Sequence, residues 1–328
     1  MWTTLHALWP GAHRTIPQGI ALAADTKGCQ LFIERKRNVP TTPHKVAYGF
    51  VERLAQDLKD GRFELPAFPE AVLRVQRALQ SPVTDAGDIV SILGSDPGLA
   101  ANVLRIANSA AFRPASGEIT DLRTAVSRLG FNMMRTVAVE FAMRQLRRGN
   151  RPPAALKEIE KTWRDSLNVA SLCYVLAKHY TAINADQALL TGLLHGLGRL
   201  YVVMRAEERT DVTADEIREI ADSWQATIGK AILESWGLPE ALQHAVEHQD
   251  DFDCERDGVS EITTRATCAA SLTDILIGAK ILNTKARLAE AHSIPAMRWL
   301  GAMKTENPAA VLDEHGEEIT VLRNSLGG

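Results

Sequence analysis

Cysteine is scarce in this 328-residue chain, and its four copies share no visible task. Cys29, Cys173, Cys254 and Cys268 stand far apart and form no C-x-x-C pair. That excludes a disulfide framework and a zinc ribbon, and points to thiols kept reduced in a cytoplasm. No apolar run approaches the ~20 residues that a membrane-spanning helix needs. Ala21-Leu22-Ala23 has the form of a leader cleavage site, but Pro10, His13, Arg14 and Pro17 break the apolar stretch before it, so no signal peptide is expected. Charge excess is also lacking. A formal net charge of −3 and a pI near 6.3 give no whole-chain argument for nucleic acid or an anionic membrane. The glycine loops of nucleotide cradles and the G-x-S-x-G of serine hydrolases are missing, and Gly229-Lys230 lacks upstream loop glycines. Nothing therefore supports a kinase, a dehydrogenase or a serine hydrolase. No internal repeat or low-complexity segment stands out.

What the chain does have is helical periodicity. Asp96-Pro97 reads as an N-cap followed by proline in the first turn. Leu99, Val103, Ile106 and Ala107 then fall along one side of a helix. Thr120-Asp121 can start the next helix and Gly130 can end it. Met133, Met134, Val137, Phe141 and Leu146 continue with helical spacing. Further stripes run through Leu167, Ala170, Tyr174 and Ala177, and through Ile228, Ile232 and Trp236. Gly237-Leu238-Pro239 then precedes a helix with Ala241, Leu242 and Ala245. The expected fold class is all-α and two-lobed, with a short N-terminal β-hairpin around Asp25-Thr26-Lys27-Gly28. Proline and glycine punctuation divides the chain into an extension over residues 1–43, a helical subdomain over 44–150, and a second helical subdomain with C-terminal helices over 151–328.

Residues 96–112, Asp-Pro-Gly-Leu-Ala-Ala-Asn-Val-Leu-Arg-Ile-Ala-Asn-Ser-Ala-Ala-Phe, carry a resemblance. Leu65-Pro66-Ala67-Phe68-Pro69 comes before them. Ala125-Val126, Leu129-Gly130, Trp163, Ser166, Gly192-Leu193-Leu194-His195 and Trp236-Gly237-Leu238-Pro239 follow in order. This pattern, over roughly residues 61–280, resembles the HDOD domain, an HD-related output domain of bacterial signalling proteins. The resemblance implies an HD-like helical fold and the ancestral positions of a metal-dependent phosphohydrolase site. In such a site His and Asp side chains hold metal ions that lower the pKa of a bound water. Carried across, the first His position falls at Asp165 and the adjacent His-Asp pair at His195-Gly196. A later His falls at Gln225, a His-His pair at His248-Gln249, and the distal Asp at Asp274. Glycine can neither ligate a metal nor take a proton, so the pattern implies a degenerate site with no metal. If any metal is held, its ligands are His195, His248 and Asp274. The structural expectation for His195 is a half-buried ring satisfied by a backbone carbonyl.

Other candidates are weighed on their own chemistry. His244 and His248 share a helix face, but Glu247 sits beside the second His, unlike H-E-x-x-H, so solvated helix histidines are expected. Arg144, Arg147, Arg148 and Arg151 form a basic cluster that could contact a phosphate or a cyclic dinucleotide. Its plainer role is to complement a helix C-terminus. The apolar face of the Met133 helix argues against a DNA-reading helix-turn-helix, so no DNA partner is expected. Asn108-Ser109 is expected to bond helix-end carbonyls or the next loop. The function expected is non-catalytic signal transduction in a bacterial cytoplasm, without cofactor or membrane. Partners implied by the family are receiver or cyclic-di-GMP turnover proteins. The alternatives are a metal-dependent phosphohydrolase or cyclic-di-GMP phosphodiesterase, and a cyclic-dinucleotide receptor that does not hydrolyse its ligand.

Overall fold

The computed structural model describes residues 70–113, 117–146, 153–180, 183–206, 213–251, 270 and 308–327. The chain divides into two units, Met1–Thr41 and Thr42–Gly328, and every described residue lies in the second. The expected β-hairpin around residues 25–28 falls outside the described residues. Among the described residues the fold is all-α, with no strand. No described helix is long and apolar enough to cross a membrane.

Local chemistry sets the helix ends. The helix α1 spans Glu70–Ala78 and α2 spans Ala86–Gly94. A reciprocal capping box starts α2: Asp85 accepts from the Asp88 N–H, and Asp88 accepts from the Asp85 N–H. In α3 (Pro97–Ala107) the Asp96 carboxylate takes the Gly98 and Leu99 N–H groups, and Pro97 occupies the first turn, where its missing donor costs nothing. The run α4 (Leu122–Leu146) starts at Asp121, which accepts from the Thr124 N–H. It is two helical stretches joined at Gly130, whose φ of 76° is a conformation other residues resist. The next elements are α5 (Pro153–Tyr180), α6 (Ala185–Leu194), α7 (Leu197–Ala206) and α8 (Ala214–Ser235). Helix α8 starts with a Thr213/Glu216 capping box and ends in a Schellman turn. In that turn Gly237 holds φ 65°, its N–H reaches the Glu234 carbonyl, and the Leu238 N–H reaches the Leu233 carbonyl. Two further helices, α9 (Glu240–Glu247) and α10 (Pro308–Gly327), complete the described fold.

Packing follows the apolar faces. The pairs α3–α4, α5–α6, α7–α8, α8–α9 and α5–α10 pack side by side, and α4 also touches α6. Met133, Met134, Val137, Ala138 and Phe141 are buried as a core face. One buried hydrophobic cluster runs from Ala71 and Val72 through Leu193 and Ile232 to Leu326, so residues on both sides of position 150 share it. Gln80 strengthens this join by donating to the Gly237 carbonyl at 2.7 Å.

A fully buried carboxylate lies where the signature helix meets α4. Glu140 receives Asn102 Nδ2 at 2.7 Å and Arg144 Nε at 2.7 Å. Asn102 Oδ1 in turn accepts from Arg105. The two guanidiniums also bond the last-turn carbonyls of α10: Arg105 to Ser325 at 3.0 Å and Arg144 to Leu326 at 2.8 Å. Cations at a helix C-terminus suit both its free carbonyls and its dipole. Asn108 closes the loop after α3 from both sides. Its amide donates to the Leu104 and Ile119 carbonyls, and its oxygen accepts from the Ile119 N–H at 2.8 Å. Ser109 donates to the Ile106 carbonyl. The signature Asn-Ser thus has a structural role.

Removing one partner of a buried ion pair is costly, because the remaining charge keeps its desolvation without its counterion. Glu140→Ala is expected to destabilise the fold by about 3–5 kcal/mol. Urea unfolding checks this as a lower midpoint with an unchanged m-value.

Candidate functional site

The site is built where the α6–α7 turn is wedged between α5 and α8. The turn lies close because it lacks side chains. A Cβ on Gly192 would come 2.6 Å from the Ala170 Cα of α5. One on Gly198 would overlap the Gln225 carbonyl oxygen of α8 and reach 2.7 Å from the Gly229 nitrogen. Between these contacts stands His195, the C-cap of α6. Its Nδ1 lies 2.6 Å from the Gly192 carbonyl, so Nδ1 carries the proton and donates it there. The ring is half-buried, as expected of a histidine held by a backbone carbonyl.

A Cβ on Gly196 would overlap the hydroxyl of Ser166 and approach Thr162 Cγ2 at 3.3 Å. Ser166 is fully buried, and its hydroxyl has no hydrogen-bond partner among the described residues. An aspartate at position 196 would have to turn the Ser166 hydroxyl aside. Gln225 is buried and donates through Nε2 to Asp250 at 3.0 Å, so its amide belongs to a polar contact closing α8 onto the end of α9. Gln249 is buried as well, and its Nε2 has no partner among the described residues. His248 is the C-cap of α9, and its ring lies 4.4 Å from that of His244.

Asp165 is brought near His195 and Arg199. Burial pushes its carboxyl above the usual range, against the opposing pull of Lys161, His195, Arg199 and Arg164. Arg199 is held at 3.1 Å by Glu158 of α5 and by a short contact to Asp222 of α8. Burial works against its charge, and the two carboxylates more than offset that. These residues clamp α7 to both neighbours. No local motif announces Arg199, because its partners are 41 and 23 positions away.

The residues present do not fit a metal held in the His-Asp manner. Position 196 offers no ligand, and position 225 offers an amide committed to Asp250. Asp274 lies outside the described residues. Among the described residues Asp165, His195 and His248 form no three-ligand group. The one such group is elsewhere, at His179, His315 and Glu318. Sequence reasoning missed it, although His315 and Glu318 are spaced to share a face of α10. Of the basic cluster, Arg144 is spent on Glu140 and Leu326, while Arg147, Arg148 and Arg151 lie outside the described residues.

The HDOD domain family matches residues 65–252, more than half of the chain. An uncharacterized protein of Treponema pallidum (strain Nichols) is 26% identical over 212 residues, which are 59% of this chain and 39% of that protein. The chain thus spans well under half the length of that relative. Among solved structures, a candidate metal-dependent phosphohydrolase of Shewanella amazonensis SB2B is 23% identical with a TM-score of 0.66, over 85% of this chain and 99% of its own. An HDOD domain protein of unknown function from Geobacter sulfurreducens is 19% identical with a TM-score of 0.57, over 84% of this chain and 96% of its own. A candidate signal transduction protein of Marinobacter aquaeolei VT8 is 18% identical with a TM-score of 0.55, over 89% of this chain and 69% of its own. At these identities the three structures share the fold.

Two expectations follow from the site. Gly196→Asp forces a side chain into the Ser166 hydroxyl, and thermal unfolding is expected to show a loss of about 1–3 kcal/mol. Asp165 has a raised carboxyl, so the folded state binds its proton more tightly than the unfolded state. Ionised Asp165 then costs stability above its folded pKa, and the cost vanishes as pH falls below the ordinary carboxylate range. Asp165→Asn is therefore expected to be more stable than the parent at pH 7. The gap should close toward about pH 3.5, as read from denaturation midpoints at the two pH values.

Proposed function

The chain belongs to the HDOD family, and from that premise we propose that it is a non-catalytic signal-transduction protein that acts by binding other proteins. The observation that carries this reading is Gly196. The position that would supply the bridging carboxylate of an HD site has no side chain, and the Ser166 hydroxyl stands where one would start. Two more positions of the inherited pattern carry glutamines, of which Gln225 is engaged with Asp250. A missing ligand should cost more than the ~10–100-fold that a lost supporting contact costs in metal affinity or activity. Arg199, Glu158 and Asp222 meanwhile stabilise the same region as packing.

The helical body then acts as a rigid platform. Its partners would be those typical of the family, receiver domains or proteins that make and degrade cyclic-di-GMP. A fold-level likeness to phosphohydrolases is compatible with this, because fold does not by itself carry chemistry.

The test is a hydrolysis assay of the purified chain on cyclic-di-GMP and on nucleotides in the presence of Mn2+. No turnover above buffer is expected. Turnover abolished by His195→Ala would overturn the proposal in favour of a phosphohydrolase. Calorimetric titration with cyclic-di-GMP is expected to show no heat at physiological concentrations, whereas saturable binding would make the protein a receptor.

A further inference from the structure

We infer that His179, His315 and Glu318 form a divalent transition-metal site that clamps α10 onto the end of α5. This site is separate from the inherited HD positions and independent of the function proposed above. His179 lies in the last turn of α5, while His315 and Glu318 stand three residues apart on α10. One ligand atom from each lies within 4.8 Å of the other two. Glu318 Oε2 is 2.8 Å from His179 Nε2 and 3.9 Å from His315 Nδ1. Zinc–nitrogen bonds of about 2.0–2.1 Å and zinc–oxygen bonds of about 2.0–2.2 Å put tetrahedral ligand atoms roughly 3.4 Å apart. The two separations bracket that value, and rotation of the two stacked rings about their χ2 torsions would bring all three atoms onto one ion.

The surroundings orient the ligands. Glu318 gives its other oxygen to Lys178 at 2.6 Å, which leaves Oε2 facing the two rings. The Tyr180 hydroxyl lies 3.1 Å from His315 Nε2, which turns Nδ1 of that ring toward Glu318. Partners of this kind fix ring orientation and ligand basicity at metal sites. The imidazoles stack at 4.1 Å with planes 16° apart. At 2.8 Å the Glu318 carboxylate accepts from His179 Nε2, and a bound ion would take the place of that proton. Side-chain exposures of 31% for His179 and Glu318 and 14% for His315 leave an entry path. His315 and Glu318 also line a cleft of about 460 Å³ with Tyr174, Lys178 and Phe112, so a further ligand can reach the ion. Two imidazoles and one carboxylate favour zinc, nickel or copper over magnesium or calcium. The opposite end of α10 is already held by Arg105 and Arg144, and the metal would secure its N-terminal half.

Calorimetric titration of the full chain, stripped with chelator, by Zn2+ alone tests the site. The wild type is expected to take up one equivalent that Mg2+ does not supply. The double variant His179→Ala/His315→Ala should lose that equivalent, and Glu318→Gln, which keeps the side-chain shape, should weaken it by more than about 100-fold. Zn2+ should raise the Tm of the wild type and leave that of Glu318→Gln unmoved, and Co2+ should give ligand-field absorption only in the wild type. His195→Ala/His248→Ala should keep the equivalent. Absence of Zn2+ uptake by the wild type, or an unchanged equivalent in both site variants, overturns the inference. An equivalent lost only in His195→Ala/His248→Ala overturns it too, and would count against the degenerate-site reading as well.

Discussion

Close approach of helices at glycine is the constraint on which the rest of this structure depends. Gly192 lets α6 touch α5, and Gly198 sets α7 against the backbone of α8 near Gly229. A turn pressed from both sides has little freedom, so His195 is held in one orientation, with its Nδ1 on the Gly192 carbonyl. Gly196 belongs to the same wedge. Its missing side chain leaves room for the Ser166 hydroxyl beside the turn. The turn is set by the close packing of α5, α6, α7 and α8 around it.

Charge is used inside the fold, mainly to fasten elements together. Glu140 is fully buried, yet Asn102 and Arg144 give it hydrogen bonds, and the two arginines spread their remaining donors over the end of α10. Arg199 does the same between α5 and α8. Each costs desolvation that only well-placed partners offset. Such networks lock one arrangement of helices.

Much of the helical architecture was legible because its causes are local. Asp96-Pro97, Asp121 and Gly237 act through groups two to five residues away, and the Met133–Phe141 face follows from helical spacing. Asn108 was legible as a structural residue, although its partner at Ile119 was not. Glu140 was readable as an anomaly, a carboxylate amid Val137, Ala138, Phe141 and Ala142 with Arg144 one turn on. Arg144 drew attention instead as one of a basic cluster, because charge counting does not say which way a guanidinium faces. The His179 group escaped notice because its members are about 139 positions apart.

The sequence by itself determined the family, the helical class and the glycine beside His195, since each depends on residue identity at known spacing. Only the tertiary structure decided what surrounds that glycine, and where distant His and Glu side chains meet. Those outcomes depend on how closely helix backbones approach and on which side chains distant helices bring together, and spacing along a chain contains neither.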